Sequence, residues 1–296
     1  MNKRLCKICQ NPVSFSTYAV ISPWIRSLGA DRRRISKYLN CEFCDSGFFD
    51  YRYSNKEMGK IYSDYRGSKY LTTRIKWEPW YNQAFNEEHD SREFIFMRQS
   101  ALIGFLGKFP TSRPNIVVDI GGDRGQYIPN LGQHESYVIE SSNKDLVDGV
   151  KRLPSINDIE KCDLILFSHV LEHVANPRSE IEELLRHAEY VYIEVPFGLP
   201  EITKRRKSKI WLFLKLIASI SPSLWRQSSE PATGRKSQNS TLVQSEHINF
   251  FSEKSLQTLA DLLKVGARIE VNSIQTPDQS KAQVIQCLFG PQNEIN

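Results

Sequence analysis

The sequence predicts an α/β fold with a largely parallel sheet, and three observations lead to this prediction. The run 116–120, Ile-Val-Val-Asp-Ile, is followed at once by clustered glycines, as in a buried strand that turns into a helix. Short apolar runs then alternate with helical patterns, and two strands of alternating polarity close the chain. The glycine turn marks the edge at which a Rossmann-like sheet holds its ligand.

Length and composition place the chain among ordinary globular proteins. Its 296 residues suffice for one sizeable core with a small appendage, or for two modest domains. The formal charge of +5 is mild and no recognition motif accompanies it, so no nucleic-acid partner is expected. No apolar stretch follows the basic start, which predicts a cytoplasmic, reducing environment. Composition divides the chain at 1–55, 56–110 and 111–296, with an insertion at 197–245.

Two Cys-x-x-Cys pairs predict a metal-binding module in the segment 1–55. In a reducing compartment such thiols favour a metal over a disulfide, and four thiolates surround Zn²⁺ tetrahedrally. No coordination position stays open, so the zinc would be structural and would stabilise a segment too small for its own core. The alternatives are unliganded thiols or a redox pair. The candidate ligands are Cys6, Cys9, Cys41 and Cys44. The two remaining cysteines, Cys162 and Cys287, are expected in the core.

The segment 56–110 is rich in Tyr, Trp and Arg. A short strand at 48–53 is expected before it, and apolar spacing at 91–107 predicts a helix that leads into the sheet. Flat apolar faces with hydrogen-bonding tips suit sugars and nucleotide diphosphates, so Tyr65, Arg66 and Tyr70 are candidate substrate contacts. The alternative is that they pack the connection between two domains.

The glycine turn reads Asp-x-Gly-Gly-x-x-Gly, with Asp119, Gly121, Gly122 and Gly125 as candidate cofactor contacts. It differs from the dinucleotide fingerprint Gly-x-Gly-x-x-Gly, because an acidic residue leads it and would repel a pyrophosphate. The pattern resembles the first motif of class I S-adenosylmethionine (SAM) methyltransferases. Asp123 stands where that family usually has its middle glycine. The alternative is a turn that binds no ligand.

The following strands also match the order of that family. Glu140 ends the second strand, where a carboxylate accepts hydrogen bonds from both ribose hydroxyls. A third strand is expected at 149–153 and a fourth at 162–168, which places Ser168 and His169 beside the cofactor. The Asp-Leu-Ile strand and the Leu-Glu-His turn after it resemble the segment that follows the third motif of many class I methyltransferases.

Metal binding is not expected at the turn after the fourth strand. His169 and His173 have i, i+4 spacing, but the order is His-x-x-Glu-His, whereas a zincin requires His-Glu-x-x-His. No third ligand is near in sequence.

The insertion at 197–245 follows a fifth strand at 190–196 and has a basic run beside an apolar stretch. The segment 204–220 is too short to span a bilayer, but it suits the surface of an anionic membrane, as a lipid-linked acceptor would require. The alternative is a lid helix packed on the domain. The polar residues 228–244 are expected to form a loop.

The segment 246–252, Glu-His-Ile-Asn-Phe-Phe-Ser, is the candidate catalytic stretch. Ser252 is expected to cap a helix at 253–264, and a histidine beside a carboxylate can take a proton near pH 7. The segment resembles a stretch of bacterial sugar C-methyltransferases, which also carry an N-terminal zinc module. The resemblance implies His247 as the base and Glu246 as its neighbour. Those enzymes continue into a further C-terminal domain, which is not expected in this chain. Carbon methylation therefore does not follow from the resemblance, and O-methylation of a glycan is equally allowed.

The sequence therefore predicts a zinc-containing SAM-dependent methyltransferase that acts on a sugar or glycan precursor. The acceptor would be a small molecule or lipid-linked, in cell-surface polysaccharide or secondary metabolite biosynthesis. Two final strands, joined at 276–278, agree with the antiparallel last strand that the resemblance implies. The competing hypothesis is an inactive SAM-fold or zinc scaffold that binds a partner protein. The sequence leaves the oligomeric state open.

Overall fold

The structure of the chain is a computed structural model with two β-sheets and nine helices among the residues that it describes. Those residues are 4–28, 33–108, 113–142, 144–202, 208–228, 242–275 and 281–295. The strands are β1 Ser14–Ile21, β2 Ile35–Cys41, β3 Ser46–Phe49, β4 Ile116–Ile120, β5 Glu135–Ile139, β6 Val150–Arg152, β7 Cys162–Ser168, β8 Ala188–Pro196, β9 Leu242–Gln244, β10 Asn249–Phe250, β11 Gly266–Gln275 and β12 Lys281–Gly290. The helices are α1 Pro23–Ser27, α2 Asn55–Tyr62, α3 Ser68–Trp77, α4 Gln83–His89, α5 Arg92–Leu106, α6 Pro177–His187, α7 Lys209–Ala218, α8 Pro222–Ser228 and α9 Glu253–Leu263.

The larger sheet has seven strands in the order β11-β12-β8-β7-β4-β5-β6. Strands β4 to β8 pair in parallel, while β12 is antiparallel to both β8 and β11. The first strand of the parallel part lies at the centre, so the strand order reverses beside it, and ligands bind at such a switch point. The predicted α/β fold with an antiparallel last strand is thereby confirmed. The expected turn at 276–278 lies outside the described residues.

Local sequence signals explain why the predicted helices begin where they do. In α9 the Ser252 hydroxyl accepts from the Ser255 amide at 3.2 Å, and the Ser255 hydroxyl accepts from the Ser252 amide at 2.9 Å. This exchange satisfies two amides at the helix start, which confirms the predicted cap. Helix α6 begins with Pro177 at its first turn, where the missing N–H costs nothing.

The smaller sheet has five strands in the order β10-β3-β2-β1-β9. Its three inner strands, β1 to β3, come from the amino-terminal segment, but its two edge strands, β9 and β10, come from residues 242–250. Part of the expected loop at 228–244 is therefore β9, because Leu242 and Gln244 are buried where β9 pairs with β1; residues 229–241 lie outside the described part. The expected strand at 48–53 ends at Phe49, where the Asp50 carboxylate accepts from the Lys37 amide at 2.7 Å.

The segment between the two sheets is helical and packs over both. Helix α5, which confirms the helix predicted at 91–107, buries Leu102, Phe105 and Leu106 against one face of the seven-stranded sheet. Helices α2 and α3 pack their aromatic side chains around Trp24, beside the smaller sheet. Cys162 and Cys287 are buried in the core as expected. Among the described residues, every helix is too short or too polar to cross a bilayer.

Candidate active site

One cavity of about 960 Å³ lies over the carboxyl ends of β4, β5, β7 and β8. Its walls include eleven of the residues predicted from the sequence as site residues. These are Asp119, Gly121, Gly122, Glu140, Ser168, His169, Tyr65, Arg66, Tyr70, Glu246 and His247. Gly125 does not line the cavity, and the four clustered cysteines lie elsewhere. The glycine turn forms one end, the cofactor end, and the Glu246–His247 segment with its aromatic surroundings forms the other, the acceptor end.

The glycine turn requires glycine for steric reasons. Gly121 and Gly125 have φ angles of +73° and +77°, which side chains rarely allow. A Cβ at Gly121 would lie 2.7 Å from Val170, and one at Gly125 would lie 2.9 Å from Val150. The first glycine thus permits the turn to approach the chain after β7, and the second permits it to approach β6.

The backbone conformation and the ion pairs of Asp123 explain why this position need not be the usual glycine. Its φ angle is +53°, in the left-handed region that Asp tolerates better than most residues. Its carboxylate pairs with Arg66 at 2.6 Å and with Lys144 at 3.1 Å. Arg66 comes from the segment between α2 and α3 and also pairs with Asp90 at 3.0 Å. The substituted position therefore ties the helical connector to the glycine turn.

Two carboxylates give the cofactor end its negative charge. Burial, with the neighbouring charge of Glu140, raises the pKa of Asp119 to about 7. Glu140 accepts from the amides of Ser142 at 3.0 Å and Asp123 at 3.2 Å, so its carboxylate is fixed at the tip of β5. A buried carboxyl beside a second one favours a ligand that brings positive charge, which agrees with the chemistry of a sulfonium and an ammonium group.

A buried ionic network supports the floor of the cavity. Glu194 on β8 pairs with Arg98 of α5 and with His169 Nε2 at 2.9 Å, and accepts from the Tyr192 hydroxyl at 2.8 Å. Burial lowers the pKa of His169, but hydrogen bonding to Glu172 and Glu194 outweighs it and raises the pKa to about 9. His169 is thus a cation held between two carboxylates.

At the acceptor end, Glu246 is held by an arginine from the connector. Arg74 of α3 pairs with Glu246 at 2.9 Å and with Glu78 at 2.9 Å, and donates to the Tyr70 hydroxyl at 2.7 Å. Its guanidinium lies 4.2 Å from the ring centroid of Tyr81. Although burial raises the pKa of Glu246, Arg74 outweighs it and lowers the pKa to about 2. The Glu246 carboxylate therefore stays ionised and faces the arginine.

His247 faces a different carboxylate from the one beside it in sequence. Its Nε2 atom lies 4.0 Å from Glu172, and its ring lies 4.8 Å from the His173 ring, centroid to centroid. Burial and the neighbouring His173 lower the pKa of His247 to about 4, so the imidazole is neutral at pH 7. The amide of Ile248 donates to the Glu172 carbonyl at 2.8 Å, which fixes the segment against the turn after β7.

Sequence reasoning missed the roles of Arg74, Arg98, Glu172 and Glu194. Each is a buried or half-buried charged residue with at least one charged partner tens of residues away, so no local periodicity marks that contact. A charged residue inside an otherwise apolar strand or helix pattern is a usable signal. Such a residue is rarely buried without a partner, so its presence indicates a buried ion pair. Glu194 within β8 and Arg98 within α5 both fit that description.

The four clustered cysteines form a separate group outside the cavity, near the turn that joins β2 to β3 of the five-stranded sheet. Their sulfur atoms all lie within 4.8 Å of one another, with 3.6 Å between Cys6 and Cys44 and 3.4 Å between Cys9 and Cys41. Each pair is followed by a residue in the left-handed region, Gln10 at φ +58° and Asp45 at φ +55°, so the two turns have the same shape. The spacing suits four thiolates around one tetrahedral ion.

The fold and the site define a class. The strand order, with its antiparallel last strand, is that of the Rossmann-like fold of class I methyltransferases, and the acidic glycine turn and the carboxylate at the tip of β5 line one cavity of that fold.

Comparison with known families agrees. Residues 91–263, more than half of the chain, match the family described as "Methyltransferase domain". The chain belongs to this family and is a SAM-dependent methyltransferase. No curated protein sequence matches it at a significant level.

Several solved methyltransferase structures are similar to the chain. A 1,6-didemethyltoxoflavin-N1-methyltransferase of Burkholderia thailandensis is 10% identical, with 88% of this chain and 97% of that chain covered and a TM-score of 0.44. The plantazolicin methyltransferase BpumL is 13% identical, with 75% and 95% covered and a TM-score of 0.43. A magnesium protoporphyrin IX methyltransferase of Synechocystis PCC 6803 is 12% identical, with 73% and 94% covered and a TM-score of 0.42. Likeness at this level carries no conclusion about the acceptor.

Proposed function

We propose that the chain methylates a hydroxylated small molecule, a sugar or glycan precursor, at oxygen or at an acidified carbon. The observation that carries the proposal is a cavity of about 960 Å³ that has both a cofactor end and an acceptor end. This volume is at the upper end of the usual range of ligand pockets, which leaves room for an acceptor beside the cofactor. Biosynthesis of a cell-surface polysaccharide or of a secondary metabolite would use such a reaction.

The residues at the cofactor end fit SAM. When bound, SAM supplies a methyl group carried on a positively charged sulfur. Asp119 and Glu140 supply negative charge to the site, and Gly121 allows the backbone to turn without a side chain in the way. Ser168 and His169 line the cavity at the end of β7, where they border the same space.

The acceptor end supports a sugar because of its side-chain chemistry. Tyr65 lines it with a half-buried ring, whose centroid lies 5.4 Å from that of Tyr70. Tyr70 is 1% exposed and its hydroxyl accepts from Arg74, so Tyr70 packs behind the wall and supports Tyr65. Trp80 adds an indole that is 44% exposed. Flat apolar faces with polar edges bind the apolar face of a sugar ring and accept or donate at its hydroxyls.

The residue on which removal of the acceptor proton depends is His247. It lies on the cavity wall at the acceptor end, and Arg74 holds the preceding Glu246 in place. Glu246 is therefore proposed as a positioning residue for the segment, and its carboxylate stays paired with Arg74. Proton removal is the chemical task left to the protein, since SAM brings its own leaving group.

Zinc at the four cysteines is part of the proposal. The sulfur atoms are spaced as four thiolates around Zn²⁺ would be, with no position left for a substrate. The ion would hold the two turns together at the edge of the five-stranded sheet. A structural role follows, because the cysteines do not line the cavity.

A cytoplasmic protein that touches the inner membrane surface fits a lipid-linked acceptor. Helix α7 exposes Ile210, Phe213 and Ile217, which are 71%, 62% and 40% exposed. The segment 202–228 has several Lys and Arg and no Asp or Glu, which suits anionic lipids. Residues 203–207, which include the basic run 204–207, lie outside the described part of the structure.

The proposed function is tested in two steps with purified protein. SAM, but not NAD, should raise the melting temperature, and radiolabelled methyl should pass from SAM to a member of a sugar-nucleotide panel. His247→Ala should lower kcat at least about 100-fold while SAM affinity is retained. His134→Ala, at a histidine outside the cavity, should change neither. Stabilisation by SAM without transfer to any acceptor, together with capture of one protein partner, would instead support a scaffold.

A further inference from the structure

Glu172 is a buried carboxylate whose nearest cation, His169, is shared with Glu194. It is 1% exposed, and within the described residues the contact with His169 Nδ1 at 3.4 Å is too long to satisfy either of its side-chain oxygens as a strong hydrogen bond would. A buried, unsatisfied carboxylate costs several kcal/mol, so proteins pair it or use it to bind an ion. Glu172 is therefore a residue whose surroundings call for an additional positive group.

Three imidazoles surround this carboxylate. The distances from Glu172 Oε1 are 3.4 Å to His169 Nδ1, 4.0 Å to His173 Nε2 and 4.0 Å to His247 Nε2. His169 is engaged on its other side by Glu194 at 2.9 Å, so it is a partner shared between two carboxylates. One ligand atom each from Glu172, His173 and His247 lies within 4.8 Å of the others.

The hydrogen bonding of His173 directs its free nitrogen into this cluster. Its Nδ1 atom lies 3.0 Å from the Glu246 backbone carbonyl, which can only accept, so Nδ1 carries the hydrogen. The Tyr62 hydroxyl lies 3.1 Å from the same nitrogen. Nε2 therefore presents a lone pair towards Glu172. Metal-binding histidines are typically fixed by such a bond from the other ring nitrogen to a carbonyl or carboxylate.

We propose that Glu172, His173 and His247 bind a divalent cation in the wall of the cavity. Two imidazoles and one carboxylate form a set that binds Mn²⁺, Fe²⁺ or Zn²⁺ and leaves further coordination positions open. Bond lengths near 2.1 Å require the three ligand atoms to approach by roughly 1 Å, a movement within reach of side-chain rotation. His173 and His247 line the cavity and Glu172 lies behind them, so the open positions face the acceptor end.

The site deepens the proposed function and rests on it for its role. A cation here would coordinate an acceptor hydroxyl and lower its pKa, and the proton would leave to solvent. His247 would then promote deprotonation as a ligand of the cation, with its Nε2 lone pair engaged by the metal. This assignment replaces the simpler role of a free base that the sequence predicted.

The test is a Mn²⁺ titration of the full chain, purified with zinc retained at the four cysteines and followed by electron paramagnetic resonance. One Mn²⁺ should bind per chain, with ¹⁴N couplings from two imidazoles. Glu172→Gln and His173→Gln should weaken binding at least about 10-fold, since even the partners of metal ligands contribute that much. The matched control is His134→Gln, a histidine outside the cavity whose Nδ1 lies 3.0 Å from the Gly132 carbonyl, and it should bind as the unaltered chain does.

SAM calorimetry on the same samples separates the two proposals. If SAM binds, methyl transfer proceeds and Mn²⁺ neither binds nor affects the rate, the cation site is wrong and the proposed function stands. If Mn²⁺ binds with two imidazole couplings, the two variants no longer bind Mn²⁺, and the unaltered chain does not bind SAM, then the cation site stands and the proposed function fails. Equal Mn²⁺ affinity in all four proteins would overturn the site. Retained SAM binding in the variants would show that they are folded.

Discussion

The two ends of the cavity are built in different ways. The cofactor end comes from consecutive strands of one sheet, with Asp119 and Glu140 on neighbouring parallel strands. The acceptor end is assembled where the two sheets meet. His247 lies just ahead of β10, the edge strand of the five-stranded sheet. The amide of Ile248 donates to the carbonyl of Glu172, which follows β7 of the seven-stranded sheet. We therefore expect SAM binding to depend on the larger sheet alone and methyl transfer to depend on both sheets.

The largest test of this difference is removal of the proposed zinc. Cys41→Ser should unfold the five-stranded sheet and reduce methyl transfer below detection, because structural zinc sites contribute on the order of 10 kcal/mol to folding. SAM affinity, measured by calorimetry, should change little. The buried Cys162→Ser, outside the cluster, should retain one zinc per chain by elemental analysis. Loss of SAM binding together with zinc would show that the two ends are not independent.

Arg74→Met should produce the next largest effect. It leaves Glu246 and Glu78 buried without their cation, and removal of one partner from a buried pair costs about 3 to 5 kcal/mol. The loss should appear as a lower urea midpoint in chemical denaturation. Below that midpoint the variant should still bind SAM but transfer methyl poorly. The exposed Arg186→Met, which pairs with Glu183 at the surface, is the control and should change stability little.

Asp119 predicts a pH dependence confined to the cofactor end. Its folded pKa of about 7 lies above the ordinary value of 3.8, so the folded state holds the proton more tightly. The resulting stabilisation is complete below pH 4 and is lost as pH rises through 7, an effect of about 2 to 4 kcal/mol. Thermal denaturation between pH 4 and 8 measures it. Asp119→Asn should flatten this part of the profile, and SAM should reduce the loss because its positive charge favours the ionised carboxylate.

Asp123→Gly should have the smallest effect. Glycine accepts the φ angle of +53°, so the change removes the pairing with Arg66 and Lys144 and the contact from Gln126 at 3.4 Å, while Arg66 keeps Asp90. Hydrogen bonds to charged groups suggest a loss of about 1 to 3 kcal/mol. Faster amide hydrogen exchange in the connector helices should accompany it. Asp123→Asn can still accept a hydrogen bond from Arg66, so its stability should lie between that of the unaltered chain and that of Asp123→Gly. Unchanged exchange would mean that the connector does not depend on this pair.

The predictability of the fold followed from short-range patterns. The glycine turn, the strand patterns of the larger sheet and the cap of α9 are set by residues within a few positions of one another. Strands β9 and β10 were not predictable in the same way, since each is short and exists only because the amino-terminal strands offer it a partner. The pairing of β9 with β1 joins residues more than two hundred positions apart.

The candidate site shows the same division. The placement of Asp119 and Glu140 on one cavity wall was predictable, because a parallel sheet aligns the ends of its neighbouring strands; their role in cofactor binding stays a prediction. No third ligand lies close to Glu172 and His173 along the chain, so the sequence does not predict metal binding there. The structure brings His247 to them across more than seventy residues. It also pairs Glu246 with Arg74, a partner that sequence reasoning did not suggest.

By itself the sequence determined the α/β class, the cofactor turn and the spacing of the four cysteines, since glycine conformation, strand periodicity and thiol chemistry act over a few residues. Only the tertiary structure decided which carboxylate faces His247, where the second sheet ends and what Asp123 holds. Buried charges choose their partners by proximity in space, and that proximity is fixed by the packing of the two sheets.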